Sequence, residues 1–109
     1  MTNITFYQDH LGVIHSLKAE DHAGFAEEGQ DIVCAAVSVL ITNFVNSLEQ
    51  LASIKPQVGM QEGEDVEIHV VFPEELTDQG KLLLDSLILG LTYLEHEYQS
   101  YVKVIYEEV

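Results

Sequence analysis

Short runs of β-branched and aromatic residues at positions 4–7 and 13–17 predict two strands. Asp9-His10-Leu11-Gly12 supplies turn chemistry between them, so the chain opens on a hairpin. Residues 21–30 hold two glycines and little periodicity, which predicts a loop. Asp31 is a natural N-cap. After it, Ile32, Val33, Ala36, Val37, Leu40, Ile41, Phe44, Val45, Leu48 and Leu51 recur at helical spacing. This helix runs to about Ser53, with Pro56 beyond its end. Its apolar surface is wider than a surface helix needs, which predicts packing on both sides.

Residues 57–60 predict a short strand and residues 62–65 a turn, and residues 66–72 form a strand that alternates before turning fully apolar. Thr77 or Asp78 caps a second helix carrying Leu82, Leu83, Leu84, Leu87, Ile88, Leu91 and Leu94 and ending near Tyr98. Residues 101–106 close the chain as a strand. The order ββαββαβ predicts an α/β sandwich: one mixed sheet with both helices on a shared face. Leu82, Leu89 and Tyr93 are assigned to ordinary core, with a partner subunit as the alternative.

Residues 1–109 are short enough for one domain. A chain of this length buries roughly two thirds of its unfolded surface. Its hydrophobic content is 47%, which excludes a disordered polar chain. Nineteen Asp and Glu stand against four Lys and no Arg, for a net charge of −15. Such a surface repels a phosphate backbone and lacks the guanidinium forks that grip phosphate and guanine, which argues against direct nucleic-acid binding. It attracts basic partners. The N-terminus has neither a basic segment nor an apolar signal core. The uncharged run 32–48 is short for a membrane span. With a single cysteine there is no internal disulfide. These features predict a soluble cytoplasmic protein without a membrane anchor.

That cysteine carries the chemistry. With Asp31 as N-cap, Cys34 occupies N3, near the positive end of the helix dipole and with an unpaired backbone N–H. Such an environment favours a thiolate, and the same N–H groups suit an oxyanion. In Ile-Val-Cys-Ala-Ala-Val the local sequence by itself favours a cysteine that packs as a small core hydrophobe. His22, the nearest histidine, lies across the loop and is the candidate base. Asp31 has two compatible roles, as cap and as a group orienting an imidazolium. Ser38 lies one turn beyond Cys34, where it either donates to the sulfur or fills a tight contact. Gly24 and Gly29 are candidate hinges that let the loop fold over the helix start, and Phe25 is a candidate lid residue. His10, His15, His69 and His96 show no metal-ligand spacing, and no phosphate loop or dinucleotide fingerprint is present. No metal or cofactor is predicted.

His22-Ala23, followed by Gly29-Gln30-Asp31-Ile32-Val33-Cys34-Ala35-Ala36-Val37-Ser38 and an apolar helix, resembles the ribosomal-processing cysteine protease family Prp. The likeness extends over the whole chain. It implies a compact α/β homodimer with a catalytic dyad of His22 and Cys34, Asp31 and Ser38 as further motif positions, and a mobile loop that orders over substrate. It implies an endopeptidase that removes the N-terminal extension of the twenty-seventh large-subunit ribosomal protein, cutting after an apolar, aromatic-containing segment and before the basic mature N-terminus. The family pattern has a glycine before the histidine, and this chain has Asp21 there. A carboxylate at that place stiffens the loop start and favours a charged His22. Two other readings compete: a non-catalytic acidic dimeric adaptor that docks on basic ribosomal proteins, and a thiol redox or acyl-transfer enzyme that would need an external thiol.

Overall fold

The computed structural model describes residues 1–22, 30–61 and 65–109, with the side chains of His22, Gln30, Asp31 and Asp65 outside the description. Seven elements follow in the predicted order: β1 (Thr2–Gln8), β2 (Ile14–His22), α1 (Gln30–Leu51), β3 (Gln57–Gln61), β4 (Asp65–Val71), α2 (Asp78–Glu97) and β5 (Val102–Glu108). The five strands form one sheet in the order β3-β4-β2-β1-β5. The β1–β2, β2–β4 and β3–β4 pairs are antiparallel, and β1–β5 is parallel, so the sheet is mixed.

The opening hairpin turns where Asp9 predicts it. Asp9 Oδ1 accepts from the N–H groups of Leu11 and Val13, and Gly12 takes the left-handed φ of 82° that the turn requires. A register shift at Tyr7/Gln8 leaves Val13 outside β2. At its other end β2 is longer than its sequence suggests. Asp21 and His22 continue the ladder, opposite Val66 and Asp65 of β4, and Asp21 also faces Thr2 of β1. β4 pairs with both residues and β1 with Asp21, and this ladder outweighs the weak strand propensity of Glu-Asp-His. The expected loop at 21–30 therefore loses Asp21 and His22 to the strand and Gln30 to the helix. Gly24, Phe25 and Gly29 lie outside the described residues.

Both helices cover one face of the sheet. Ile4 and Phe6 of β1, Leu17 and Ala19 of β2, and Val70 of β4 meet Val33, Val37, Ile41, Phe44 and Leu48 of α1 and Leu84, Leu87, Leu91 and Leu94 of α2 in a single core. The segment Ile32–Leu51 is long and apolar enough to cross a membrane, which revises its reading as too short. Its packed face makes it a core helix here. The helices approach closely at Gly90, where an added Cβ would stand 3.3 Å from both Leu40 methyls. Thr77 caps α2 by accepting from the Gly80 N–H. At the far end of α1, Ser53 takes a φ of 55° and the Ile54 N–H returns to the Leu48 carbonyl.

Leu82, Leu89 and Tyr93 are not core residues. They are 70%, 74% and 63% exposed and lie on the side of α2 away from Leu84, Leu87, Leu91 and Leu94. Leucines on both faces of one helix make either face eligible for burial, and only the docking of α2 on the sheet chose between them.

Candidate active site

Period-two alternation puts Leu17, Ala19 and Asp21 on one face of β2, the face that α1 covers. Leu17 and Ala19 are buried under the helix, whereas Asp21 is only half-buried at the open end of the sheet. Thr2, directly across the ladder, is 3% exposed, and its backbone N–H is held by the Tyr101 carbonyl at 2.7 Å. On α1, Val33 and Val37 point into the core. Cys34 is one residue round from Val33, so its sulfur comes to the rim of the core, half-buried.

The three elements meet there through side chains. Cys34 Sγ donates to Asp21 Oδ2 at 2.7 Å. Thr2 Oγ1 donates to Asp21 Oδ1 at 3.3 Å and lies 3.7 Å from Cys34 Sγ. A groove of about 210 Å³ opens beside this cluster. Its floor and walls are mainly apolar, from Ala19, Val37, Ile41, Val66 and Ile68, and its polar rim includes Thr2, Asp21, Cys34 and the exposed Ser38. A thiol reachable from an apolar slot between a helix and the end of the sheet is placed to meet an extended peptide carrying an apolar side chain.

Cys34 and Ser38 therefore share one groove. His22 is the last residue of β2, adjacent in sequence to the Asp21 that touches the sulfur, and its side chain lies outside the described residues, as does that of Asp31. The helix begins one residue before the expected cap, so Asp31 is its second residue and Cys34 its fifth. The unpaired N–H groups of a helix belong to its first turn, and the Cys34 N–H falls beyond them, into the regular pattern with Gln30. The N3 assignment is corrected accordingly. At 1.5 Å per residue the sulfur-bearing residue stands about 6 Å along the axis, where the influence of the helix dipole is fading.

Two members of this cluster escaped the sequence reading. Thr2 carried no motif, and Asp21 read as a loop residue acting on His22. The available signal was parity, because Asp21 continues the buried alternation of Leu17 and Ala19.

The family model for cysteine protease Prp matches residues 1–103. The chain belongs to the Prp family of cysteine proteases. It is 33% identical over 109 residues to the ribosomal processing cysteine protease Prp of Bacillus subtilis strain 168, covering 95% of this chain and 96% of that one. It is 37% identical over 90 residues to the protein of the same description in Mycoplasma pneumoniae, covering 81% and 83%. A solved Streptococcus mutans structure superposes with a TM-score of 0.88 at 30% identity, covering 100% of this chain and 99% of that one. The Prp of Staphylococcus aureus, solved with a covalently linked product peptide, superposes with a TM-score of 0.83 at 25% identity, covering 98% and 100%. The ββαββαβ order with two helices on a five-stranded mixed sheet is that of Prp structures. This chain is accordingly a cysteine protease, and the adaptor reading, which needs no catalysis, gives way.

Proposed function

We propose that this Prp-family protease removes the N-terminal extension of the twenty-seventh large-subunit ribosomal protein, with Cys34 as nucleophile and His22 as base. The observation that carries the reading is the position of the only cysteine, half-buried at the rim of an apolar groove in a chain of this family. Relatives are described as ribosomal processing proteases, and the S. aureus enzyme has been solved with a substrate peptide.

The substrate's apolar, aromatic-containing segment occupies the groove and its basic side faces the acidic surface. Cys34 Sγ attacks the scissile carbonyl carbon while its proton passes to the His22 imidazole, which then protonates the leaving amine. Water hydrolyses the thioester and regenerates the thiol. Unpaired N–H groups at the start of α1 are candidate donors to the oxyanion. Asp31 and Ser38 support the dyad from the same helix, and Gly24 and Gly29 act as hinges of the segment between the catalytic residues. No metal or cofactor takes part. The enzyme works in the cytoplasm as a homodimer, without binding nucleic acid directly or associating with a membrane. The exposed Leu82, Leu89 and Tyr93 support the dimer as an apolar face for a second copy.

The test is cleavage of a precursor peptide, read by mass spectrometry as a new N-terminus. Cys34→Ser and His22→Ala are each expected to lose at least about a thousandfold in rate, since members of a catalytic unit fail together. A Cys34→Ser protein that cuts at the wild-type rate overturns the nucleophile assignment.

A further inference from the structure

Asp21 stands near the end of β2 with both carboxylate oxygens engaged. Thr2 Oγ1 donates to Oδ1 at 3.3 Å, and Cys34 Sγ donates to Oδ2 at 2.7 Å. The carboxylate is thus tethered from β1 on one side and occupies the sulfur on the other. We propose that Asp21 is a latch on the nucleophile: it holds Cys34 as a protonated thiol in the substrate-free enzyme and releases it when a peptide enters the groove. This rests on the reading of Cys34 as nucleophile.

The chemistry follows from the contact. An ordinary carboxyl is a stronger acid than an ordinary thiol by roughly four orders of magnitude, so the shared proton stays on sulfur. A hydrogen bond donated by the neutral thiol favours that form, and ionising the sulfur at this distance would put two negative charges side by side. The thiolate is the nucleophile, so the contact suppresses the reactive species. The basic residue nearest the contact in sequence is His22, which follows Asp21 directly. β1 presents Thr2, α1 presents Ser38, and β4 presents Val66 and Ile68 to the groove. The Glu20 carboxylate, of opposite parity on β2, lies on the other face of the sheet with Lys18 Nζ at 3.5 Å. During attack the sulfur's electron pair forms the bond to carbon, the thiol proton goes to His22, and Asp21 remains a carboxylate throughout. A peptide entering beside Val66 and Ile68 competes for the space and the hydrogen bonds at the rim. That is where Asp21 yields the sulfur.

The experiment measures the rate of Cys34 alkylation by iodoacetamide as a function of pH, without peptide. The proteins compared are wild type, Asp21→Asn and Asp21→Ala, each also in a His22→Ala background, and folding is followed by thermal melting. Two variants keep the test open if one fails to fold. At neutral pH Asp21→Asn is expected to react about tenfold faster, with its rate–pH midpoint about one unit lower. The same displacement is expected without His22, because the contact is direct. A purely structural Asp21 would alter the melting temperature and leave the midpoint in place. Superimposable profiles, or slower alkylation of folded variants, overturn the latch. Cleavage by Cys34→Ser is run alongside. A variant that still cuts overturns the underlying reading, whereas an inactive one with unchanged alkylation profiles overturns the latch alone.

Discussion

Thr2 and Asp21 face each other across the β1–β2 ladder, and the buried Thr2 hydroxyl donates to the Asp21 carboxylate at 3.3 Å. The pair links the start of the first strand to the residue that holds the sulfur. Thr2→Val keeps the side-chain shape and removes the donor. A hydrogen bond to a charged group contributes about 1.5–3 kcal/mol, so denaturant unfolding should show a loss in the lower part of that range, Asp21 being only half-buried. Unchanged stability would mean that the bond has no net worth.

The −15 net charge should govern encounter with a basic substrate. The kcat/KM on full-length ribosomal precursor is expected to fall several-fold between about 0.05 M and 0.5 M salt, as the screening length contracts to a few ångströms. An uncharged peptide that spans the same cleavage site should lose little. Equal salt responses for the two would show that the acidic surface serves solubility alone.

Leu89 is 74% exposed at the centre of the outer stripe of α2. If this stripe joins two copies, Leu89→Glu places a charge in an apolar interface. Sedimentation equilibrium is then expected to move from twice the chain mass of 12.2 kDa toward the monomer, with the helical circular dichroism retained. A variant that sediments like wild type would place the contact elsewhere.

Asp9 gives the fold a small acid-sensitive element. A hydrogen bond from His15, at 3.0 Å, and backbone N–H groups of Val13 and Leu11 hold its carboxyl below the ordinary value of 3.8. A carboxyl depressed in the folded state adds stability that is complete above its unfolded value and is lost as pH falls through the folded one. Asp9→Asn should therefore melt slightly below wild type at pH 5.5, and the gap should close as pH falls below 3.8 and through the depressed folded value. The check is a pair of thermal melts across that range. A gap that persists at low pH would assign the loss to turn geometry.

Much of this molecule was legible from its order of residues. The two apolar periods placed every strand and helix in sequence. The Asp9–Gly12 turn and the Thr77 cap were readable because they are local, built from side chains that bond backbone a few residues away. The lone cysteine, with its motif, pointed to the family.

What tertiary structure alone decided is non-local. The β3-β4-β2-β1-β5 order, the continuation of β2 through His22, and the exposure of Leu82, Leu89 and Tyr93 depend on which partners the sheet offers. So does the thiol's contact with Asp21, thirteen residues away in the chain and joined to it only because α1 lies over that end of β2. Periodicity states which residues want burial; packing chooses among eligible faces and selects the charged group that meets the sulfur.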